Sequence, residues 1–267
     1  MNESKLDRLR ALIRPMGKVA VAYSGGVDSA LLLRVSRDVL GNNVLAIMNV
    51  TSLTAPGEED EAVSSARSMG VETIIVRSDP LNDVEFRRNT TERCYHCKRI
   101  VLGAITTAAR DRGVEKVIDG THVDDLSEDR PGRRALVEMG VRSPLQEAGL
   151  RKEDVRAIAR QLSVPSADRP SSPCLATRLP FNQEITAEAL RMVGEAEKVL
   201  KDLGLRTVRV RHHGVVARIE VPPGDIAALV DMREEIVQRF KRIGFIYVTA
   251  DLQGFRSGSM SEAVDPR

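Results

Sequence analysis

Ser24-Gly25-Gly26-Val27-Asp28-Ser29 is the stretch whose residue types and order most directly imply chemistry. It joins the apolar run at 19–23 to the apolar run at 30–35, so it reads as a turn between a strand and a buried helix. Such a turn offers bare backbone N–H groups to an anion. The two glycines allow a sharp bend and close approach of a phosphate. The Ser24 and Ser29 hydroxyls add hydrogen bonds, and the helix N-terminus adds partial positive charge. Asp28 in such a nest fits a Mg²⁺ that travels with the phosphates, or a helix cap. The stretch lacks the Gly-Lys-Ser/Thr of a Walker P-loop.

The chain has three cysteines, Cys94, Cys97 and Cys174. An odd number argues against a disulfide framework. Cys94-Tyr95-His96-Cys97 reads as a C-x-x-C in a charged loop before a helix. A structural zinc would need two more ligands, from Cys174 and His96 or His122. Three thiolates can instead hold a cubane iron–sulfur cluster, leaving one iron open to a sulfide or substrate. Ordinary reduced thiols are the third reading. A thioredoxin-like pair is disfavoured, because the motif does not follow the first strand of a matching unit.

Spacing singles out further residues. Arg209 and Arg211 alternate with Val208 and Val210, so both guanidiniums share one face of a strand, an arrangement suited to phosphate or carboxylate. Leu190, Val193, Leu200 and Leu203 form a helical apolar stripe, and Glu197 falls on it. A carboxylate there needs a partner, such as an arginine, or a task. Arg256 lies in a Gly-Phe-Arg-Ser-Gly-Ser loop that can offer a guanidinium to an anion. His122, His212 and His213 read at least as well as turn or surface residues.

The elements that must position these groups alternate. Helix is expected at 3–15, from 27 to about 40, from 56 to 69 and at 99–110. Strands are expected at 18–23, 44–50, 71–76 and 116–120. This order implies a doubly wound parallel sheet of an α/β protein, with ligands at the carboxyl ends of the strands. That edge carries the glycine turn, Asn49-Val50-Thr51 and residues 120–124, including Thr121 and Asp124. After about residue 165 the chain becomes proline-rich around Cys174. A smaller α+β unit follows, with helix at 187–203, two strands within 206–221, helices to 242 and a strand at 245–248. The expected domains are 1–165 and 166–267.

Apolar content of 42%, charged content of 29% and a net charge of +2 are ordinary for a globular chain and give no strong nucleic-acid signal. No run approaches the roughly 20 apolar residues of a membrane span, and the N-terminus lacks a signal-peptide core. A cytoplasmic protein is expected.

SGGVDS at 24–29 resembles the PP-loop, SGGxDS, of the ATP pyrophosphatases, which split ATP between the α and β phosphates. With RCYHCK at 93–98, DGTHVDD at 119–125, RSPL at 142–145, PSSPCLATRLPFNQEIT at 170–186 and GFIYVTADLQGFRSGSM at 244–260, nearly the whole chain resembles the LarE family. The resemblance implies a PP-loop domain and a C-terminal sulfur-transfer domain. It implies adenylation of a carboxylate of pyridinium-3,5-biscarboxylic acid mononucleotide, then displacement of AMP by sulfur, twice, toward the nickel-pincer nucleotide cofactor. Ser24, Gly25, Gly26, Asp28, Ser29, Met48, Thr121, Asp124 and Arg178 are then expected to bind ATP and its Mg²⁺. Arg178 would neutralise pyrophosphate or the acyl-adenylate. Cys174, Glu197, Arg209, Arg211 and Arg256 are expected to be catalytic. Two sulfur sources occur in the family: one sacrifices a cysteine at the position of Cys174, and the other uses three cysteines on a 4Fe–4S cluster. The presence of Cys94, Cys97 and Cys174 matches the cluster type. The resemblance also implies a homo-oligomer, a sulfide donor and a nickel-insertion partner, with no membrane or nucleic acid. A PP-loop tRNA thiolase with the same cluster is the alternative, and an amidating PP-loop enzyme has no use for three cysteines.

Overall fold

A computed structural model describes residues 4–126, 131–169, 173–256 and 259–260. Glu3 of the expected first helix, Pro170-Ser171-Ser172 of the Cys174 motif, Ser257-Gly258 of the tail motif and residues 261–267 of the expected second domain lie outside the described residues. By backbone contacts the chain forms two units. One comprises Met1–Thr51, Gly57–Pro80 and Glu92–Ser172, and the other Ser52–Pro56, Leu81–Thr91 and Pro173–Arg267.

In chain order the elements are α1 (Lys5–Ile13), β1 (Val19–Ala22), α2 (Val27–Leu40), β2 (Val44–Val50), α3 (Glu58–Ser68) and β3 (Thr73–Arg77). Next come α4 (Val84–Arg87), α5 (Arg93–Arg110), β4 (Lys116–Ile118), α6 (Pro131–Glu138), α7 (Pro144–Glu147) and α8 (Lys152–Gln161). Then follow α9 (Ala187–Asp202), β5 (Arg209–His213), β6 (Val216–Glu220), α10 (Ile226–Asp231), α11 (Arg233–Ile243) and β7 (Tyr247–Ala250).

The first unit is α/β. Its sheet runs β3-β2-β1-β4, with every pairing parallel. Alternation along the strands divides their side chains between two cores. Val19, Val21, Val44 and Ala46 join α1, α2 and α8 on one face, and Ala20, Ile47 and Val117 join α5 on the other. Helices therefore cover both faces, as the β-α alternation implies. Leu31, Leu32 and Leu33 of α2 are wholly buried, each contributing about 1.5–3 kcal/mol.

One boundary differs in a way that matters for the chemistry. The C-x-x-C was expected in a loop ahead of a helix beginning at 99. Instead α5 begins at Arg93, so Cys94 and Cys97 lie in its first turns. Side chains of α6 hold that early turn. Arg134 donates to Glu92 at 2.6 Å and stacks 3.8 Å from the Tyr95 ring centroid, while the Tyr95 hydroxyl donates to Glu138 at 2.8 Å.

The second unit carries a three-stranded sheet in the order β5-β6-β7, antiparallel then parallel. Its core joins α9 and α11 through Leu200, Phe240, Val210 and Ile219. Among the described residues no helix is long and apolar enough to cross a membrane.

Candidate active site

The strand order reverses beside β1: the chain moves outward to β2 and β3, then returns to place β4 on the other side of β1. The loops after β1 and β4 therefore flank the crevice where open α/β sheets take ligands. Gly25 lies at φ +76°, and a Cβ there would stand 2.6 Å from the Ala62 Cβ. Gly26 is the N-cap of α2, and no side chain caps that helix, so its first amides point outward without intrahelical partners. The Ser24 backbone N–H donates to the Ser29 hydroxyl at 3.2 Å, and that hydroxyl donates to the Gly26 carbonyl at 3.1 Å. The result is a preformed nest of amides and hydroxyls with the polarity an anion requires.

The acidic residue of the nest has a partner that the motif does not reveal. Lys152 Nζ donates to both Asp28 carboxylate oxygens, at 2.7 and 2.6 Å. The Lys152 backbone N–H donates to Asp124 at 2.7 Å, which fixes the start of α8 against the β4 loop. His122 is buried, contrary to its turn or surface reading, with Nε2 3.8 Å from Asp28. Beside it Asp119 accepts from Thr121 Oγ1 and Ser143 Oγ, both at 2.6 Å, with Lys98 Nζ at 3.6 Å. Thr121 and Asp124 thus stand at the carboxyl end of β4. The Met48 side chain is buried in the apolar core, which leaves its backbone to meet a nucleotide. Lys152, Asp119 and Ser143 were not singled out from the sequence.

None of the three cysteines forms a disulfide. Cys94 is exposed and Cys97 half-buried on one side of α5. Cys174 is exposed and belongs to the other unit. Among the described residues no three histidine, cysteine or carboxylate side chains are grouped to hold a metal.

In the second unit Cys174 precedes a short 3₁₀ turn, Leu175–Arg178. Arg178 was expected to meet an anion. It is instead 1% exposed, with Nε and Nη2 donating to Glu197 at 2.7 and 3.0 Å. Its Nη1 donates to the Pro173 carbonyl and Thr177 Oγ1, each at 2.8 Å, and to the Cys174 carbonyl at 3.3 Å. All three guanidinium nitrogens are thus engaged within the fold, and none is presented to a ligand. Glu197 is buried where the helical stripe placed it, and also accepts the Val210 N–H at 3.1 Å. Its carboxylate is an arginine partner and faces no open surface.

Arg209 and Arg211 share the face of β5 opposite Val210, as alternation requires. Arg211 is buried, donating to Glu220 at 2.6 Å, Ser259 at 3.0 Å and the Thr177 carbonyl at 3.1 Å. Arg209 is half-buried, 5.3 Å from the Phe255 ring centroid. Burial, then repulsion from Arg178 and Arg211, pulls the Arg209 guanidinium below the ordinary arginine range, while Glu197 and Glu220 act in the opposite sense. Among the described residues, Arg211 and Arg218 both pair with Glu220 while Arg178 pairs with Glu197, so arginines crowd these carboxylates, a setting that favours an anionic ligand. Arg256 lies 3.8 Å from Asp251 and near the Gly254 carbonyl.

No family model matches the chain. An uncharacterised protein of Synechocystis is 41% identical over 266 residues, covering 99% of both chains. Pyridinium-3,5-bisthiocarboxylic acid mononucleotide synthase of Lactiplantibacillus plantarum is 36% identical over 262 residues, 98% of this chain and 95% of the relative. The chain belongs to the LarE family. More distantly, one of the subunits of the glutamine-hydrolysing GMP synthase of Archaeoglobus fulgidus is 24% identical over 212 residues, 75% of this chain and 69% of the relative. The LarE relationship spans both units, so the nest of the first and the cysteine loop and arginines of the second fall within it. Mg²⁺ usually takes one or two protein carboxylates and completes its shell with phosphates and water. Asp28 and Asp124 are carboxylates of this kind at the nest, and Lys152 occupies both oxygens of the first and bonds the second. Two thiols spaced three residues apart on one helix are of a type that suits cluster ligation.

Proposed function

We propose that this LarE-family chain is an ATP-dependent sulfur transferase that makes pyridinium-3,5-bisthiocarboxylic acid mononucleotide from the corresponding dicarboxylate. The near full-length relationship to the Lactiplantibacillus synthase carries this reading. The distant match to GMP synthase, an amidating enzyme of the PP-loop class, supports ATP use. In this reading the Gly25-Gly26 nest is a PP-loop that holds the ATP phosphates, with Asp28 and Asp124 toward Mg²⁺. A substrate carboxylate oxygen attacks the α-phosphorus and pyrophosphate leaves. A sulfur nucleophile then adds to the acyl carbon and AMP departs with the carboxylate oxygen, leaving a thiocarboxylate. Preorganised amides and cations, which stabilise charge as it develops, are the main contribution of such a site. Arg209 and Arg256 are the arginines offered to the substrate's phosphate or second carboxylate.

Cys94, Cys97 and Cys174 are proposed to hold a 4Fe–4S cluster, which when bound supplies an open iron for a hydrosulfide. The enzyme is proposed to work in the cytoplasm as a homo-oligomer, fed by a sulfide donor and serving a nickel-insertion partner. Anaerobically purified protein is expected to contain about four irons per chain, and Cys94→Ala to lose them. Iron-free protein in which the Cys174 peptide lacks the elements of H₂S after turnover would establish the sacrificial route instead. The activity itself is tested by pyrophosphate release that requires both ATP and the dicarboxylate nucleotide. Release that ignores the dicarboxylate would refute it.

A further inference from the structure

We propose that the buried Arg178–Glu197 pair is a positioning device that fixes the backbone at Cys174 relative to the arginine strand. This inference rests on the proposed sulfur role of Cys174. It removes both partners from contact with substrate and assigns them to act through the cysteine.

The argument begins with the energetics of the pair. Both side chains are almost fully buried, at 2% and 5% exposure. A buried ion pair is a weak source of stability, since well-packed apolar residues often serve as well. What an Arg–carboxylate fork supplies that apolar packing cannot is direction, because two parallel N–H···O bonds fix the plane of the guanidinium. The third nitrogen of that plane is aimed at the cysteine loop. The Cys174 carbonyl accepts from the Thr177 N–H at 3.0 Å, Thr177 Oγ1 at 2.8 Å and Arg178 Nη1 at 3.3 Å. Nη1 also reaches the preceding carbonyl, that of Pro173, and Thr177 Oγ1. The main chain on both sides of the Cα is thereby held, while the thiol stays exposed.

The other end of the pair sets a second distance. Glu197 Oε1 takes both Arg178 Nε and the backbone N–H of Val210. Val210 stands between Arg209 and Arg211 on β5. One carboxylate thus references the cysteine loop and the arginine strand to each other. Arg211 closes the circuit by donating from Nη1 to the Thr177 carbonyl. A Cys174 sulfur that must hold the sulfur source beside an acyl carbon whose phosphate rests on arginines needs this spacing held. A displacement of about 1 Å costs on the order of 100-fold in rate.

Two variants loosen the device with little loss of burial. Arg178→Lys keeps the charge against Glu197 but not the fork. Thr177→Val keeps the shape and removes the hydroxyl that links Arg178 to the Cys174 carbonyl. For each, thermal melting, pyrophosphate release and sulfur transfer are measured, together with iodoacetamide labelling of Cys174 by peptide mass on protein stripped of iron. The expected result is wild-type pyrophosphate release, a labelled Cys174, and kcat for sulfur transfer down about 100-fold with KM for the dicarboxylate nucleotide unchanged. Should Arg178→Lys fail to fold, Thr177→Val carries the test alone. Wild-type sulfur transfer by folded Thr177→Val would overturn the proposal. Cys174→Ser that still transfers sulfur would show instead that the underlying reading of Cys174 is wrong, and the proposal would fall with it.

Discussion

At the scale of single residues, the site is organised by charges that find partners far away in the chain. Lys152 lies 124 residues from Asp28 and grips both its carboxylate oxygens. Without it, Asp28 would set a bare negative charge beside a nest built for phosphates. A hydrogen bond to a charged group is worth roughly 1.5–3 kcal/mol. Lys152→Met is therefore expected to weaken ATP binding by about tenfold or more, as read by titration calorimetry; an unchanged Kd would show that the pair is incidental. His212 is a second case. It is buried, its Nδ1 lies 3.0 Å from the Gln183 amide nitrogen, and its ring centroid is 5.7 Å from that of Phe245. Burial pushes its pKa below the ordinary histidine value. The unfolded chain then binds more protons than the folded one in this range, so stability is full above the ordinary histidine pKa and falls as pH drops through the lowered one. His212→Asn should flatten the part of the melting-temperature decline below about pH 6.5 that this group causes. An unaltered pH profile would count against the assignment.

At the scale of elements, the nest depends on how closely β4 approaches α2. A Cβ on Gly120 would lie 2.8 Å from the Ser29 backbone nitrogen and 3.0 Å from the Asp28 carbonyl carbon. No side-chain rotation relieves a clash with backbone. Gly120→Ala should push the start of α2 from the β4 loop, costing about 1–3 kcal/mol and impairing ATP binding more than overall folding. Normal ATP affinity in that variant would mean that the two loops do not form one site. Much of this level was readable in advance. The apolar run at 44–50 coincides with β2, and the glycine turn falls between β1 and α2. The start of α5 was not readable, because Cys, Tyr and His are indifferent helix formers and the stabilising side chains come from α6. Helices α6, α7 and α8 were missed as well; they are short, and tertiary contacts such as Lys152 with Asp28 and Asp124 help to fix them. Periodicity did place Glu197 on an inward face. It could not show that Arg178 fills that space, since no local pattern announces a pair formed between a loop and a helix.

At the scale of the whole molecule, two units carry complementary chemistry. The first has an amide nest with a compensated carboxylate, which suits phosphate binding. The second has an exposed thiol on a tightly held backbone and arginines crowded around buried carboxylates. In the proposed reaction the nest of the first unit would hold the ATP phosphates, while Cys174 of the second would take part in sulfur delivery. Positioning variants in the second unit should leave pyrophosphate release intact, whereas Gly120→Ala in the first should depress both steps together. The most direct test is a single-turnover reaction of the anaerobic protein with ATP, Mg²⁺ and the dicarboxylate nucleotide, with the product examined by mass spectrometry. The account predicts nucleotide in which sulfur replaces one carboxylate oxygen, formed with one AMP and one pyrophosphate for each sulfur transferred. ATP cleaved to AMP and pyrophosphate with the carboxylates recovered unchanged, or sulfur found in tRNA instead, would contradict it.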